Sequence, residues 1–175
     1  MTTLGDVLLV LLADQGGTAH DIQQRHAGTF GPEKRVDISR VTWTLTRQER
    51  LGFVRAAASP ARSRQRRYEL TETGDRRQRM WLLRVPPDAD AEDVRTRALL
   101  AIEATDRATF DMVIQVCLAH LELSRLRADP GQPDAALSTQ SARAELTDAT
   151  LAAEVRWLQS LRTRQRQRDR AESLQ

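Results

Sequence analysis

The sequence contains little of what metal sites, redox chemistry and covalent catalysis require. Cys117 is the only cysteine among 175 residues, so an internal disulfide and a cysteine-rich metal site are both excluded. The sequence also has no glycine-rich phosphate loop and no histidine spacing typical of a metal site. No stretch has the length or the flanking residues of a membrane span or a signal peptide. We therefore expect a cytoplasmic protein that has no catalytic residues, no metal and no cofactor.

Basic and acidic residues are unevenly divided along the chain. Residues 1–86 contain 15 basic and 9 acidic residues, whereas residues 87–175 contain 12 and 15. The net charge of +3 therefore combines a basic first half with a mildly acidic second half. Such a basic region indicates a polyanionic partner such as nucleic acid. A chance spread of solvated arginines gives the same count, so charge alone leaves both interpretations open.

Apolar and capping patterns predict two helices at the start of the chain. Residues Leu4–Ala13 are apolar at nearly every position, which predicts a short helix buried on most sides. Thr18 is followed three positions later by Asp21, a capping-box-like pattern that predicts a second helix from about Ala19. The glycines and the proline within residues 27–35 predict a loop.

A third helix, capped by Asp37 and ending near Gly52, has two chemically different faces. At about 100° per residue, one face carries Ile38, Val41, Leu45 and Gln48. The opposite face carries Arg40, Trp43 and Arg47, with Ser39 and Arg50 beside them. We predict that the first face packs on the protein and that the basic face lies on DNA.

A basic hairpin follows the third helix. Residues 53–57 and 66–70 alternate as strands do, and the connection between them contains Arg62 and Arg64, with Arg66 on the returning side. Three helices followed by such a hairpin is the order of a winged helix-turn-helix, a DNA-binding fold. We therefore predict a mostly α-helical protein with a small β-hairpin wing.

The rest of the chain is predicted to be helical. Pro86 and Pro87 end a helix that Thr71 or Thr73 caps. They mark a boundary between a DNA-binding domain, residues 1–86, and a helical dimerisation and effector domain, residues 87–175. Further helices are expected at about 92–104, 106–128 and 142–168. The polar end from residue 162 is expected to fray.

These segments together resemble the PadR family of bacterial transcription regulators. The stretches that carry the likeness are LLVLLADQGGTAHDI, FGPEKRVDISRVTWTLTRQERLGFVRA, RRYELTETG and RQRMWLLRVPP. In the family, the wing ends in a tyrosine followed by LT..G, which Tyr68 to Gly74 match here. The resemblance implies a regulator, most often a repressor, that binds a palindromic operator as a homodimer. It also implies release from DNA by a small aromatic or amphiphilic effector that binds near the dimer interface.

Arginine suits the predicted DNA face because its planar group can bond guanine at two acceptors or clamp a phosphate. We assign base contacts to Arg40 and Arg47, and mainly phosphate contacts to the wing. The full set of predicted DNA contacts is Lys34, Arg35, Ser39, Arg40, Thr42, Trp43, Arg47, Arg62, Arg64 and Arg66. The alternatives are solvated surface charge for each arginine, and packing against the second helix or the wing for Trp43.

Apolar stripes in the second half predict a homodimer. The last helix carries one stripe of Leu146, Thr150, Ala153, Trp157 and Leu161 and another of Leu151, Val155 and Leu158. The preceding helix carries Phe110, Ile114, Cys117 and Leu121. This is more apolar surface than one small domain is expected to cover, which favours packing between subunits. Trp81, Phe110 and Trp157 are candidate effector-binding residues, with ordinary core packing as the alternative.

The same sequence features are also compatible with a second function. A winged helix can serve protein–protein assembly alone, with its arginines acting only as solubilising charge. The two functions differ in how DNA binding depends on salt, because a protein that neutralises phosphates loses affinity steeply as salt rises.

Overall fold

The computed structural model describes residues 2–57, 66–104, 106–127 and 138–172. The helices within these ranges are α1 (Leu4–Ala13), α2 (Ala19–Phe30), α3 (Ile38–Arg50), α4 (Glu72–Leu83), α5 (Ala91–Ala104), α6 (Arg107–Arg127) and α7 (Thr139–Glu172). The strands are β1 (Gly17–Thr18), β2 (Val54–Ala57) and β3 (Arg67–Leu70). The fold is therefore mostly α-helical with a small antiparallel sheet that forms the wing, as the sequence predicts.

Helix α1 is the buried helix around which the other elements of the first half pack. The six residues from Val7 to Leu12 are each at most 5% exposed, as expected of a helix that is apolar all round. Thr3 caps the helix by accepting a hydrogen bond from the Asp6 N–H at 3.3 Å. Helices α2, α3, α4 and α5 and strand β3 all pack against α1, so its burial fixes where α3 lies.

The predicted capping box at the start of α2 is confirmed. The Thr18 N–H donates to Asp21 Oδ2 at 2.8 Å, and the Asp21 N–H donates to Thr18 Oγ1 at 3.2 Å. These two bonds satisfy donors that would otherwise lack a partner at the helix start. The backbone and hydroxyl of Thr18 also hold the pKa of Asp21 below its usual value.

The predicted loop at residues 27–35 is wrong in its first part. Helix α2 continues to Phe30, where Gly31 ends it with a φ of 95° and donates its N–H to the Ala27 carbonyl at 2.9 Å. A short 3-10 helix, Pro32–Lys34, follows. Gly28 lies inside the helix, whereas Gly31, which has a positive φ, ends it.

The sheet has the order β1-β3-β2, and all pairs are antiparallel. The two predicted strands pair with each other, with Val54 opposite Leu70. Strand β1 was not predicted; its Gly17 pairs with Tyr68. A strand of two residues is too short to show an alternating apolar and polar pattern. Strand β1 can therefore be recognised only from its pairing with β3.

The wing connects to α3 and α4 through two glycines. Gly52 ends α3 with a φ of 77°, a conformation that favours glycine. Thr71 caps α4 by accepting the Gly74 N–H at 3.0 Å. A Cβ on Gly74 would clash with the Phe53 carbonyl, so this glycine lets α4 lie directly against the backbone that leads into β2.

The hydrophobic core is continuous from the first half to the second. It includes Leu8, Leu45, Leu82, Leu100, Ile114 and Leu158, each completely buried. Pro86 and Pro87 lie between α4 and α5, and the division into domains 1–86 and 87–175 stays a prediction. Cys117 is buried in this core, and burial raises the pKa of its thiol to about 12, so the thiol is unreactive at neutral pH.

Helix α7 extends past the predicted end near residue 168, and fraying of its end stays a prediction. The helix continues to Glu172, whose carboxylate pairs with Arg168 at 2.8 Å. Arg107 at the start of α6 pairs with Asp169 at 3.2 Å and so joins the two helices. Along the part of the chain that the structure describes, no helix is both long enough and apolar enough to cross a membrane.

Candidate nucleic-acid interface

The inward face of α3 anchors the helix to the protein. Val41 and Leu45 are completely buried, and Thr44 is buried beside them. Asp37 caps the helix by accepting the Ser39 N–H at 2.7 Å. Ile38, predicted for this face, is 39% exposed and borders a surface pocket between α2 and α3 instead of entering the core.

The opposite face of α3 is exposed to solvent, as the sequence predicts. Arg40 and Arg47 are exposed, and neither forms an ion pair within the described part of the chain. Trp43 is 64% exposed, with the Arg47 guanidinium 5.8 Å from its ring centroid. The ring is therefore not packed away against α2 or the wing, which was the alternative for this residue.

A groove of about 450 Å³ runs beside this face, between α3, the start of α1 and α4. Arg77 of α4 lines it together with Arg40, Trp43 and Arg47. The Arg77 guanidinium donates to Asp6 Oδ1 at 2.9 Å and lies 5.9 Å from the Phe53 ring. Sequence reasoning missed Arg77 because its position beside α3 depends on how α4 packs on α1.

Lys34 is already engaged with the second half of the chain. Its Nζ lies 2.7 Å from Glu92 Oε1 on α5, and the hydrogen bond from Lys34 is the main cause that lowers the pKa of Glu92. Glu92 also pairs with Arg95 at 2.9 Å, and Arg95 reaches Glu154 of α7 at 3.5 Å. A chain of ion pairs thus connects the segment before α3 to α7.

Three other predicted contacts also have partners in the chain. Arg35 donates to Gln23 Oε1 at 3.1 Å, and the Thr42 hydroxyl donates to the Ile38 carbonyl at 2.9 Å. Hydrogen bonds from the backbone and then the side chain of Ser39 hold the pKa of Asp37 below its usual value. A phosphate must therefore share or replace these bonds to be bound by these groups.

Of the predicted wing contacts, Arg62 and Arg64 lie outside the described residues. Arg66 is exposed and donates to Glu49 Oε1 at 2.6 Å, while its guanidinium lies 5.6 Å from the Tyr68 ring. Arg66 thus braces the base of the wing against the end of α3. Its contact with DNA stays a prediction.

The three candidate effector residues pack against the core. Phe110 is 5% exposed, and Trp81 and Trp157 are partly buried against the same cluster. The buried Arg97 donates to the Trp81 carbonyl at 3.2 Å and lies 4.3 Å from its ring centroid. This is the core packing considered as the alternative, and an effector role for the three stays a prediction.

The apolar stripes predicted for dimerisation divide into covered and uncovered ones. Phe110, Ile114, Cys117 and Leu121 on α6 are all buried within the chain, and so are Val155 and Leu158 on α7. The other stripe of α7 differs, because Leu146 is 69% exposed and Thr150 and Ala153 are exposed with it. Trp157 and Leu161 of the same stripe are partly buried against the core, so only its first part, from Leu146 to Ala153, is exposed.

No protein-family model and no curated protein sequence matches the chain. Among solved structures, Bacillus subtilis PadR in complex with operator DNA is 17% identical, with a TM-score of 0.42 over 92% of this chain and 98% of that chain. Bacillus subtilis PadR in complex with p-coumaric acid is also 17% identical, with a TM-score of 0.38 over 90% and 95%.

A PadR-like transcriptional regulator from Bacillus cereus is 18% identical, with a TM-score of 0.38 over 89% of this chain and 93% of that chain. The chain is similar to PadR regulators. These structures are named for the same family that the sequence motifs resemble. At these identities the likeness concerns the fold, and the roles of individual residues rest on the contacts that this chain makes.

Proposed function

We propose that the protein is a non-enzymatic, cytoplasmic transcriptional regulator that binds double-stranded DNA through α3. The observation that carries the proposal is the exposed face of Arg40, Trp43 and Arg47, without ion pairs among the described residues, on a helix whose other face is locked into the core. A rigid anchor matters because base contacts require side chains to be held in a fixed register on the duplex.

The spacing on α3 suits a major groove. Arg40 and Arg47 are seven residues apart, which is about 10 Å along a helix, so both can reach base edges of one groove. Trp43 lies between them and offers an apolar surface for a sugar or a thymine methyl group. Arg77 lies beside α3 with its half-exposed guanidinium paired to Asp6 at 2.9 Å, and a phosphate on this face can share that guanidinium.

We propose a homodimer that binds a palindromic operator, because one α3 contacts only a few base pairs and two related half-sites increase specificity. The exposed stripe around Leu146 is the proposed dimer contact. Repression, and release from DNA by a small aromatic or amphiphilic effector near Trp81, Phe110 and Trp157, complete the proposal. An effector would act by favouring a dimer in which the two α3 helices no longer match the half-sites.

Two experiments with the purified protein test the proposal: a pull-down of genomic DNA fragments and a titration of its affinity for defined duplexes. We expect genomic DNA pull-down to enrich one or a few promoters that contain an inverted repeat. A duplex with that repeat should bind more tightly than a scrambled duplex, with a steep loss of affinity as salt rises. Equal recovery of all genomic fragments, or binding that is insensitive to salt, contradicts the proposal.

A second function is favoured by the exposed apolar groups on the same face. Trp43 is 64% and Leu51 is 55% exposed, and an aromatic flanked by arginines is also typical of protein-interaction surfaces. An assembly module of this kind would bind a protein partner and show no preference for any duplex in the same titration.

A further inference from the structure

The groove beside α3 contains a buried carboxylate at its edge. Three of the described residues that line the groove are arginines, and one, Asp6, is a carboxylate. Asp6 lies in the first turn of α1, and its side chain is only 7% exposed. A carboxylate is seldom buried unless it is paired, because burial removes the water that stabilises its charge. The partners of Asp6 therefore indicate what this buried charge does beside the proposed DNA surface.

Both carboxylate oxygens of Asp6 have a partner. Oδ1 accepts a hydrogen bond from the Arg77 guanidinium at 2.9 Å, and Oδ2 accepts one from the Thr3 hydroxyl at 2.6 Å. The Thr3 hydroxyl oxygen in turn accepts the backbone N–H of Asp6 at 3.3 Å. The carboxylate is thus held in one orientation at the start of α1, where it gives Arg77 a fixed point of attachment.

The start of α1 lies directly against α3. Gly5 is so close to that helix that a Cβ on it would overlap the side-chain amide of Gln48. The Arg77 guanidinium also lies 5.9 Å from the ring centroid of Phe53, the residue just before β2. The contacts with Asp6 and Phe53 therefore restrict where this guanidinium lies relative to α3.

The Arg77 side chain keeps donors for a ligand. It is 51% exposed, and the bond to Asp6 is the single hydrogen bond that its guanidinium forms within the described ranges. A guanidinium has five N–H donors in a planar fork, so Asp6 leaves most of them unused. Arg40 and Arg47 line the same groove, and the three positive charges together favour an anion there.

We propose that Arg77 contacts a backbone phosphate of the DNA bound by α3 and that Asp6 is the positioning residue that orients Arg77. This inference rests on the proposed function, because the groove borders the exposed face of α3. A phosphate suits Arg77 better than a base edge, since Arg77 belongs to α4 and lies beside that face. Asp6 then has two opposite effects on DNA binding: its charge repels the phosphate, and its hydrogen bond holds the guanidinium that binds the phosphate.

Salt titrations of the full-length protein on operator and random duplexes test the role of Arg77. Arg77→Ala should weaken binding to both duplexes by roughly tenfold, and the steepness of log K against log salt should fall by about 0.9, as expected for one phosphate contact. Arg79→Ala is the matched control, because it removes another exposed arginine of α4 that pairs with one carboxylate, Asp75 at 3.1 Å, but lines a different pocket. An equal loss in the control, or unchanged affinity in Arg77→Ala, would overturn the proposal.

Asp6→Ala separates the two effects of Asp6, because it removes the charge and the point of attachment together. If Asp6 positions Arg77, this variant should bind both duplexes roughly threefold more weakly, although it has lost a negative charge. Tighter binding would mean that Asp6 acts only through its charge, which contradicts the positioning role. Asp6→Asn keeps an oxygen that can accept from Arg77 and should lose less affinity than Asp6→Ala. It also decides the question if Asp6→Ala does not fold, because tighter binding has the same meaning in both variants.

The positioning role also predicts that Asp6 and Arg77 act as one unit. In the Arg77→Ala background, Asp6→Ala should cause no further loss of affinity, since no guanidinium remains to be positioned. The same loss in both backgrounds would mean that Asp6 supports binding only through the stability of α1. A parent protein that binds neither duplex would contradict the proposed function itself, whereas a parent that binds and an Arg77→Ala variant that binds equally well contradict this inference alone.

Discussion

Helices α3 and α7 both carry many arginines, but they differ in what the single chain does with their surfaces. On α3 the apolar and basic sides are separated, with Val41 and Leu45 completely buried and Arg40 and Arg47 exposed, without ion pairs to any described residue. On α7 the arginines alternate with other polar residues, and an apolar stripe around Leu146 lies exposed. Helix α3 thus buries Val41 and Leu45 within its own chain, whereas α7 leaves Leu146 exposed.

The residue pattern of α3 therefore predicts more about its surroundings than the residue pattern of α7 does. The pattern of α3 is sufficient to orient the helix, since one face fits the core and the other must face outward. The pattern of α7 contains two apolar stripes. Val155 and Leu158 of one stripe are buried within the chain, whereas the other stripe is exposed around Leu146 and partly buried at Trp157 and Leu161. A partner that covers the exposed stripe would come from outside the chain, as in a homodimer.

Removing the basic face of α3 should have the largest effect. Arg40→Ala with Arg47→Ala is expected to abolish specific operator binding, a loss of roughly 100-fold or more, because each bidentate base contact contributes about 1–3 kcal/mol. The melting temperature should change little, since both side chains are exposed. Fluorescence anisotropy with an operator duplex and calorimetry measure the two quantities.

A matched control for this pair is Arg156→Ala with Arg166→Ala on α7, which removes the same number of exposed arginines away from the stripe around Leu146. The control should keep most of the operator affinity. Equal losses in the two double variants would mean that overall charge, and not the face of α3, determines binding.

A charge introduced into the exposed apolar surface of α7 should have the next largest effect, a loss of self-association. Leu146→Glu introduces a charge into the proposed dimer contact and is expected to weaken self-association by roughly tenfold or more. Thr147→Glu adds the same charge at the neighbouring exposed position, outside the stripe, and should have little effect. Sedimentation velocity at micromolar concentration checks both, and a parent protein that is monomeric there would contradict the proposed dimer.

The elements that sequence reasoning found are those with a local cause. Helix α3 follows from its cap at Asp37, its period and Gly52, and the start of α2 follows from its capping box. Strand β1 and the position of Arg77 could not be found this way, because each depends on the packing of distant segments. Partners such as Glu92 for Lys34 were missed for the same reason, since the residues of the pair are far apart in the chain.

The polar end of α7 is helical as far as Glu172. Arginine, glutamine and glutamate have high helix propensity, so a polar stretch can stay helical without a buried face. In this segment, Arg168 also pairs with Glu172, and Asp169 pairs with Arg107 of α6.

Charge removal in the wing should have a smaller and less specific effect than the change on α3. Arg62→Ala, Arg64→Ala and Arg66→Ala together are expected to weaken binding to operator and random duplexes by similar factors. The steepness of log K against log salt should fall by about 0.9 for each phosphate that the wing no longer neutralises. Salt titrations on both duplexes measure this, and weakening confined to the operator would give the wing a role in reading sequence.

The smallest expected effect comes from the ion pair between Lys34 and Glu92, which joins the region around α3 to the second half of the chain. Glu92→Gln keeps the shape of the side chain, removes the charge that holds Lys34, and should raise the affinity for any duplex by roughly two- to fivefold, because exposed pairs contribute about 0–1 kcal/mol.

Glu72→Gln is the control for this change, because it removes one negative charge from an exposed carboxylate that pairs with Arg76 of the same helix. If both variants raise DNA affinity alike, the cause is net charge. A rise in Glu92→Gln alone, measured at the same salt concentration, means that α5 competes with phosphate for Lys34. In that case a charge on the second half of the chain weakens the DNA contact of the first half.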